Sequence, residues 1–141
     1  MFEPSFLNGF IHQTDKVNTQ EDYLKNVLRQ VHDAYVILYE LKDQPGDLDV
    51  IKREIAKITG MLNAVIHKLE SNKQELNEYQ HLKPSMRFFL DNTEFFREIE
   101  TMSLLYSDDP MRLKHLRLKI LDSIQEKNLI GYIKSIIAAN E

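Results

Sequence analysis

Between residues 51 and 69 the apolar side chains Ile51, Ile55, Ile58, Leu62, Val65 and Leu69 recur at alternating steps of four and three. An α-helix turns once in about 3.6 residues, so this alternation draws a single stripe down one helical side. Leu76 and Tyr79 stay in phase, and an unbroken helix over 48–80 would run about 50 Å. Ser71 and Asn72, with Gln74 and Glu75 three residues after each, have the chemistry of helix caps. A kink or break is therefore expected near Ser71. A stripe this regular must be buried, and burying it requires other helices.

The remaining chain supplies them. Leu24, Leu28, Val31, Tyr35 and Leu38 mark a helix expected to start near Thr19, with Asp22 three residues on as a weak capping box. It must end at Asp43-Gln44-Pro45-Gly46-Asp47, which holds both strong breakers. Ahead of it, residues 1–18 read as a short segment whose Phe6, Leu7, Phe10 and Ile11 share a face and pack across the bundle. A third helix is expected from Pro84 to just before Tyr106, since proline at a first helical position loses no hydrogen bond. A fourth opens with Asp109 as cap and Pro110 behind it, and buries Leu113, Leu116, Ile120, Leu121 and Ile124. Leu129, Tyr132, Ile133, Ile136 and Ile137 carry an amphipathic end piece, continuous with that helix or separated at Lys127-Asn128. No segment sustains two-residue alternation. The fold expected is all-α: an antiparallel bundle of about four main helices with short extra helical segments at both ends.

Size and composition agree. The chain's 141 residues suit one domain, 1–141, large enough to need no staple. With no cysteine, thiolate nucleophiles and cysteine-based metal sites are excluded; a cytoplasmic setting is the expectation. The N-terminus has no basic region ahead of an apolar run, and no apolar stretch approaches a membrane span. The net charge of −4 is uneven, with nine acids against four bases in residues 1–50 and five against six in 101–141. That asymmetry favours self-association or a choice of protein partner over general nucleic-acid affinity.

Catalytic patterns are missing. The glycines at 9, 46, 60 and 131 never cluster into a phosphate loop, and Ser71, Ser85 and Ser103 lack a nucleophile's context. Glu78 and His81 have the three-residue spacing used by di-metal bundles, but that motif must occur twice and occurs here once. No catalytic residue, cofactor, metal ligand or small-molecule substrate is assigned.

Two segments stand out as candidate contact surfaces. Four of the seven phenylalanines, Phe88, Phe89, Phe95 and Phe96, follow Lys83-Pro84, and Ile99 and Met102 continue their stripe. Such aromatics either fill the core or leave an edge, drawn from Phe88, Phe95, Phe96 and Ile99, for a partner or second copy. The run Arg112 to Lys119 (RLKHLRLK) concentrates positive charge without an acid. On a helix Arg112, His115 and Lys119 share one face, while Lys114 and Arg117 flank another. Those five residues either track a nucleic-acid backbone or form a solvated face around a leucine stripe.

From Glu75 onward the chain resembles the RteC family, regulators of excision in conjugative elements of Bacteroidetes. Glu75, Leu76, Tyr79, Leu82, Lys83-Pro84, Leu90 and Ile99-Glu100 occupy corresponding places, and Asn128 to Lys134 resembles the family's later asparagine-then-aromatic run. The family has paired aromatics where this chain has Glu78-Tyr79. The resemblance implies the helical part of such a regulator; a winged-helix DNA-binding part would follow Glu141. Together these readings predict a non-enzymatic interaction or regulatory module with a protein partner or a second copy. A nucleic-acid binder using residues 112–119, or an oligomerisation bundle, is the alternative.

Overall fold

The computed structural model describes the backbone of residues 4–72, 76–92 and 94–139, and side chains within those ranges from Thr19 onward. Six α-helices and one 3-10 helix follow one another, with no strand among the described residues. They are α1 (Pro4–Glu40), α2 (Asp47–Ser71), the 3-10 helix (Asn77–Leu82), α3 (Lys83–Asp91), α4 (Glu94–Leu105), α5 (Pro110–Glu126) and α6 (Leu129–Ala138).

The stripe from Ile51 to Leu69 is buried along its whole length, chiefly against α1. The two helices run antiparallel: the loop over 41–46 joins their near ends, and at the far end the Lys68 ammonium sits 5.2 Å from the centre of the Tyr23 ring. Gly46 makes the turn with φ 93°, a conformation that suits a residue without Cβ. α2 stops at Ser71, where the break is expected, and at this C-terminal end the Ser71 and Asn72 side chains donate back to the His67 and Lys68 carbonyls. The buried polar residues include Glu54, whose Oε2 is held by exposed Arg53 at 2.7 Å and Lys57 at 3.5 Å.

Two boundaries differ from expectation. The helix predicted to begin at Thr19 is part of one helix running from Pro4 to Glu40. Thr19 and Asp22 tolerate a helix interior, and no proline interrupts the chain between Pro4 and Pro45. The predicted packing of Phe6, Leu7, Phe10 and Ile11 lies outside the described side chains. The helix predicted from Pro84 to Tyr106 is divided, with α3 ending at Asp91 and Asn92 extended at φ −86°, ψ 97°. There the Asn92 amide reaches the Ser123 hydroxyl of α5 at 3.3 Å. The main helices thus number about five, one more than predicted.

Further on, Asp109 caps α5 as its sequence requires, accepting from the Met111 and Arg112 N–H groups at 3.0 and 3.2 Å. The chain then breaks at Lys127-Asn128, and Asn128 turns it with φ 57°. Gly131 lies one turn later against the exposed Asn128 side chain: a Cβ there would come 2.2 Å from the Asn128 Oδ1, so a larger residue would require that side chain to turn away. Ser85, buried in α3, anchors that corner by donating to the Lys127 carbonyl at 2.7 Å. The buried apolar side chains of all these elements join in one cluster.

Candidate functional site

The aromatic stripe is mostly core. Phe89 and Phe95 are fully buried and stack at 5.4 Å across the α3–α4 break, and Phe96 tilts against Phe95 at 4.8 Å. Ile99 is buried as well. Of the four residues nominated as an interface, Phe95 and Ile99 are therefore inside, and Phe88 and Phe96 are half-buried. Phe96 packs on the core, and the Phe88 ring lies 5.4 Å under the Lys127 ammonium. The helix break explains this. It folds two aromatic pairs towards each other where an unbroken helix would have spread them along one wide side.

The basic run lies on α5 and divides as its spacing predicts. Arg112, His115 and Lys119 line a groove of about 540 Å³ whose other walls include Glu98 of α4 and Asp122. Lys114 and Arg117 line a second depression of about 480 Å³ with Tyr39, Lys42 and Asp43. Leu118 borders both and forms the ridge between them.

The five basic side chains are not equivalent. Arg117 forks onto Asp43, Nε to Oδ1 at 2.8 Å and Nη2 to Oδ2 at 2.9 Å, and donates from Nη1 to the Tyr39 carbonyl at 3.4 Å. Both partners are only about an eighth exposed (12% and 13%). The hydrogen bond to Asp43 raises the Arg117 pKa above its ordinary value, burial opposes it, and the Asp43 and Asp47 charges add to the rise. Arg112 pairs with Glu98 at 3.5 Å and lies over the Tyr106 ring, 3.8 Å from its centre. Lys114, His115 and Lys119 are exposed, and none of them has a charged partner among the described residues.

Sequence reasoning passed over the apolar residues beside this run. Leu104 is 83% exposed, Leu105 70%, Tyr106 39%, Met111 62% and Leu118 40%. The first four flank the short turn between α4 and α5. Leu105 lies two turns beyond Glu98, on the α4 side that borders the groove. A signal was present: Leu104 and Leu105 fall outside the Phe95, Ile99, Met102 stripe, and Met111 and Leu118 outside the Leu113, Leu116, Ile120 stripe.

Other candidates lie apart from this corner. A third depression of about 540 Å³ is lined by His32, Tyr35, Tyr39, Gln125 and Lys134. Glu78 and His81 are on the 3-10 helix, where the His81 ring meets the edge of Tyr132 at 5.2 Å. No group of three or more potential metal ligands occurs among the described residues, and no helix among them is long and apolar enough to cross a membrane. Compared with models of protein families, with curated proteins and with solved structures, the chain matches none.

Proposed function

We propose that this chain is a non-enzymatic helical interaction module of the regulatory kind that the RteC-like resemblance implies, and that it takes a protein partner at the α4–α5 corner. One observation carries the reading: Leu104, Leu105, Tyr106 and Met111 stand out of the fold around one short turn. Single exposed leucines are ordinary on protein surfaces, whereas several together around one turn mark a place where another surface is expected. A cytoplasmic setting is part of the proposal and rests on the cysteine-free composition.

The competing reading is a nucleic-acid contact through residues 112–119. In its favour, Lys114, His115 and Lys119 are exposed and carry no ion pair among the described residues. Against it, Arg112 and Arg117 are engaged by Glu98 and Asp43, and the exposed Leu118 stands between the remaining cations. Phosphate binding favours adjoining cations, and an intervening leucine gains nothing from a polyanion.

Two measurements separate the readings. Fluorescence anisotropy with duplex DNA at low and moderate salt is expected to show no binding that depends on Arg112 and Lys119. Salt-sensitive binding lost in the Arg112→Ala, Lys119→Ala double variant would replace the protein-partner reading. A photoreactive residue at Leu105 is expected to give a discrete cross-linked adduct in cells. The same residue at exposed Asn63 of α2 serves as the control, and equal labelling at both positions counts against the corner.

A further inference from the structure

We infer that the partner element received by this corner is an amphipathic helix with acidic flanks, laid along α5 over the Met111–Leu118 ridge. The inference rests on the interaction-module reading and adds the chemistry of the partner.

α5 is apolar on two sides. Its inward stripe, Leu113, Leu116, Ile120, Leu121 and Ile124, is buried in the bundle. Met111 and Leu118, seven residues apart and so nearly in line along the helix, face outward. Two apolar residues one heptad apart give a second helix two points of contact along the same side of α5. Leu105, which ends α4, and Tyr106 in the turn that follows are also exposed. The 17 residues of α5 span about 25 Å, room for some four turns of a second helix. The groove bounded by Glu98 and His115 borders the Leu118 ridge on one side, and the depression bounded by Tyr39 and Lys114 borders it on the other.

Charge selects among helices. Arg112 and Arg117 are satisfied within the fold by Glu98 and Asp43. Lys114 and Lys119, which bracket Leu118, form no ion pair among the described residues. Acids flanking the apolar seam of a partner helix would meet these two ammonium groups, the arrangement that sets partner choice in helix pairs. A second copy offering its own α5 would bring Lys114 and Lys119 together with the exposed Asp122 and Glu126, a mixed face that matches the two lysines less well than a seam flanked by acids alone.

The test uses the whole protein and three labelled synthetic helical peptides. One carries a leucine seam flanked by glutamates, the second the same seam flanked by lysines, and the third the glutamates with serine replacing leucine. The glutamate–leucine peptide is expected to bind at least about tenfold more tightly than either control, a difference of about 1.4 kcal/mol. Leu118→Glu should weaken it by a similar factor, and the Lys114→Glu, Lys119→Glu double variant should reverse the preference between the two leucine peptides. All three substituted residues are exposed, and circular dichroism of each variant checks that the bundle is intact. Equal binding of the two leucine peptides, or indifference to both sets of substitutions, overturns the inference. Failure of every peptide to bind also overturns it, yet leaves the interaction-module reading standing if the Leu105 cross-link forms. Duplex DNA competing for the same lysines with loss of the cross-link would remove both.

Discussion

At the scale of single residues, Arg117 and Lys114 show how near neighbours in one charged run acquire different roles. Arg117 is spent inside the fold: its fork on Asp43 and its contact with the Tyr39 carbonyl tie α5 to the end of α1. Removing it leaves a mostly buried carboxylate unpaired. Arg117→Ala is expected to cost about 3 kcal/mol of stability, read from urea denaturation, whereas Lys114→Ala, with no partner to strand, should cost almost nothing. Tyr79 offers a second test. Burial pushes its phenol up to about 12 from 10.0, with Glu21, Glu78 and Asp22 adding to the rise. The folded state thus holds this proton more tightly than the unfolded chain does. The associated stability is complete below about pH 10 and is lost as pH rises towards about 12. Tyr79→Phe should therefore lose less stability than the parent over that alkaline window, seen in denaturation midpoints measured against pH. Neither role was legible in sequence, because Asp43 and Arg117 lie far apart in the chain and only packing brings them together.

At the scale of elements, boundaries follow local chemistry wherever a strong signal exists. Asp109-Pro110 starts α5, Pro45-Gly46 lies in the α1–α2 turn, and Ser71 ends α2. Asp109→Ala removes the acceptor for two N–H groups and is expected to cost about 1 kcal/mol, measured by thermal or urea unfolding. Where the signal is weak, context overrides it. Thr19 and Asp22 have cap chemistry but lie within α1, since an adjoining turn of helix satisfies the same N–H groups. The α3–α4 break has the opposite origin. Asn92 is no strong breaker, yet its bond to Ser123 and the stacking of Phe89 on Phe95 favour two short helices over one long one. The Asn92–Ser123 contact reaches across the fold and leaves no mark in the local pattern.

At the scale of the molecule, the aromatic stripe and the basic run exchange importance. Phe95 is fully buried between Phe89 and Phe96, so Phe95→Ala is expected to cost about 3–5 kcal/mol. Phe88→Ala should cost clearly less, the ring being half-buried; urea titration of both variants makes the comparison. Equal costs would mean that the α3–α4 break does not organise the core as described. With the aromatics inside, the outward surface worth testing passes to α5 and the turn before it. Spacing separates Arg112, His115 and Lys119 from Lys114 and Arg117, but it does not show which side of α5 another helix covers.

By itself the sequence determined that this chain is all-α and where most of its helices start and stop. Those properties follow from apolar periodicity, proline and cap chemistry within a few residues of one another. Tertiary structure decided that Phe95 is core, that Arg112 and Arg117 are paired, and that Leu105, Met111 and Leu118 are left outside. Burial and ion pairing depend on which surfaces meet across the bundle, and that is a relation between distant segments.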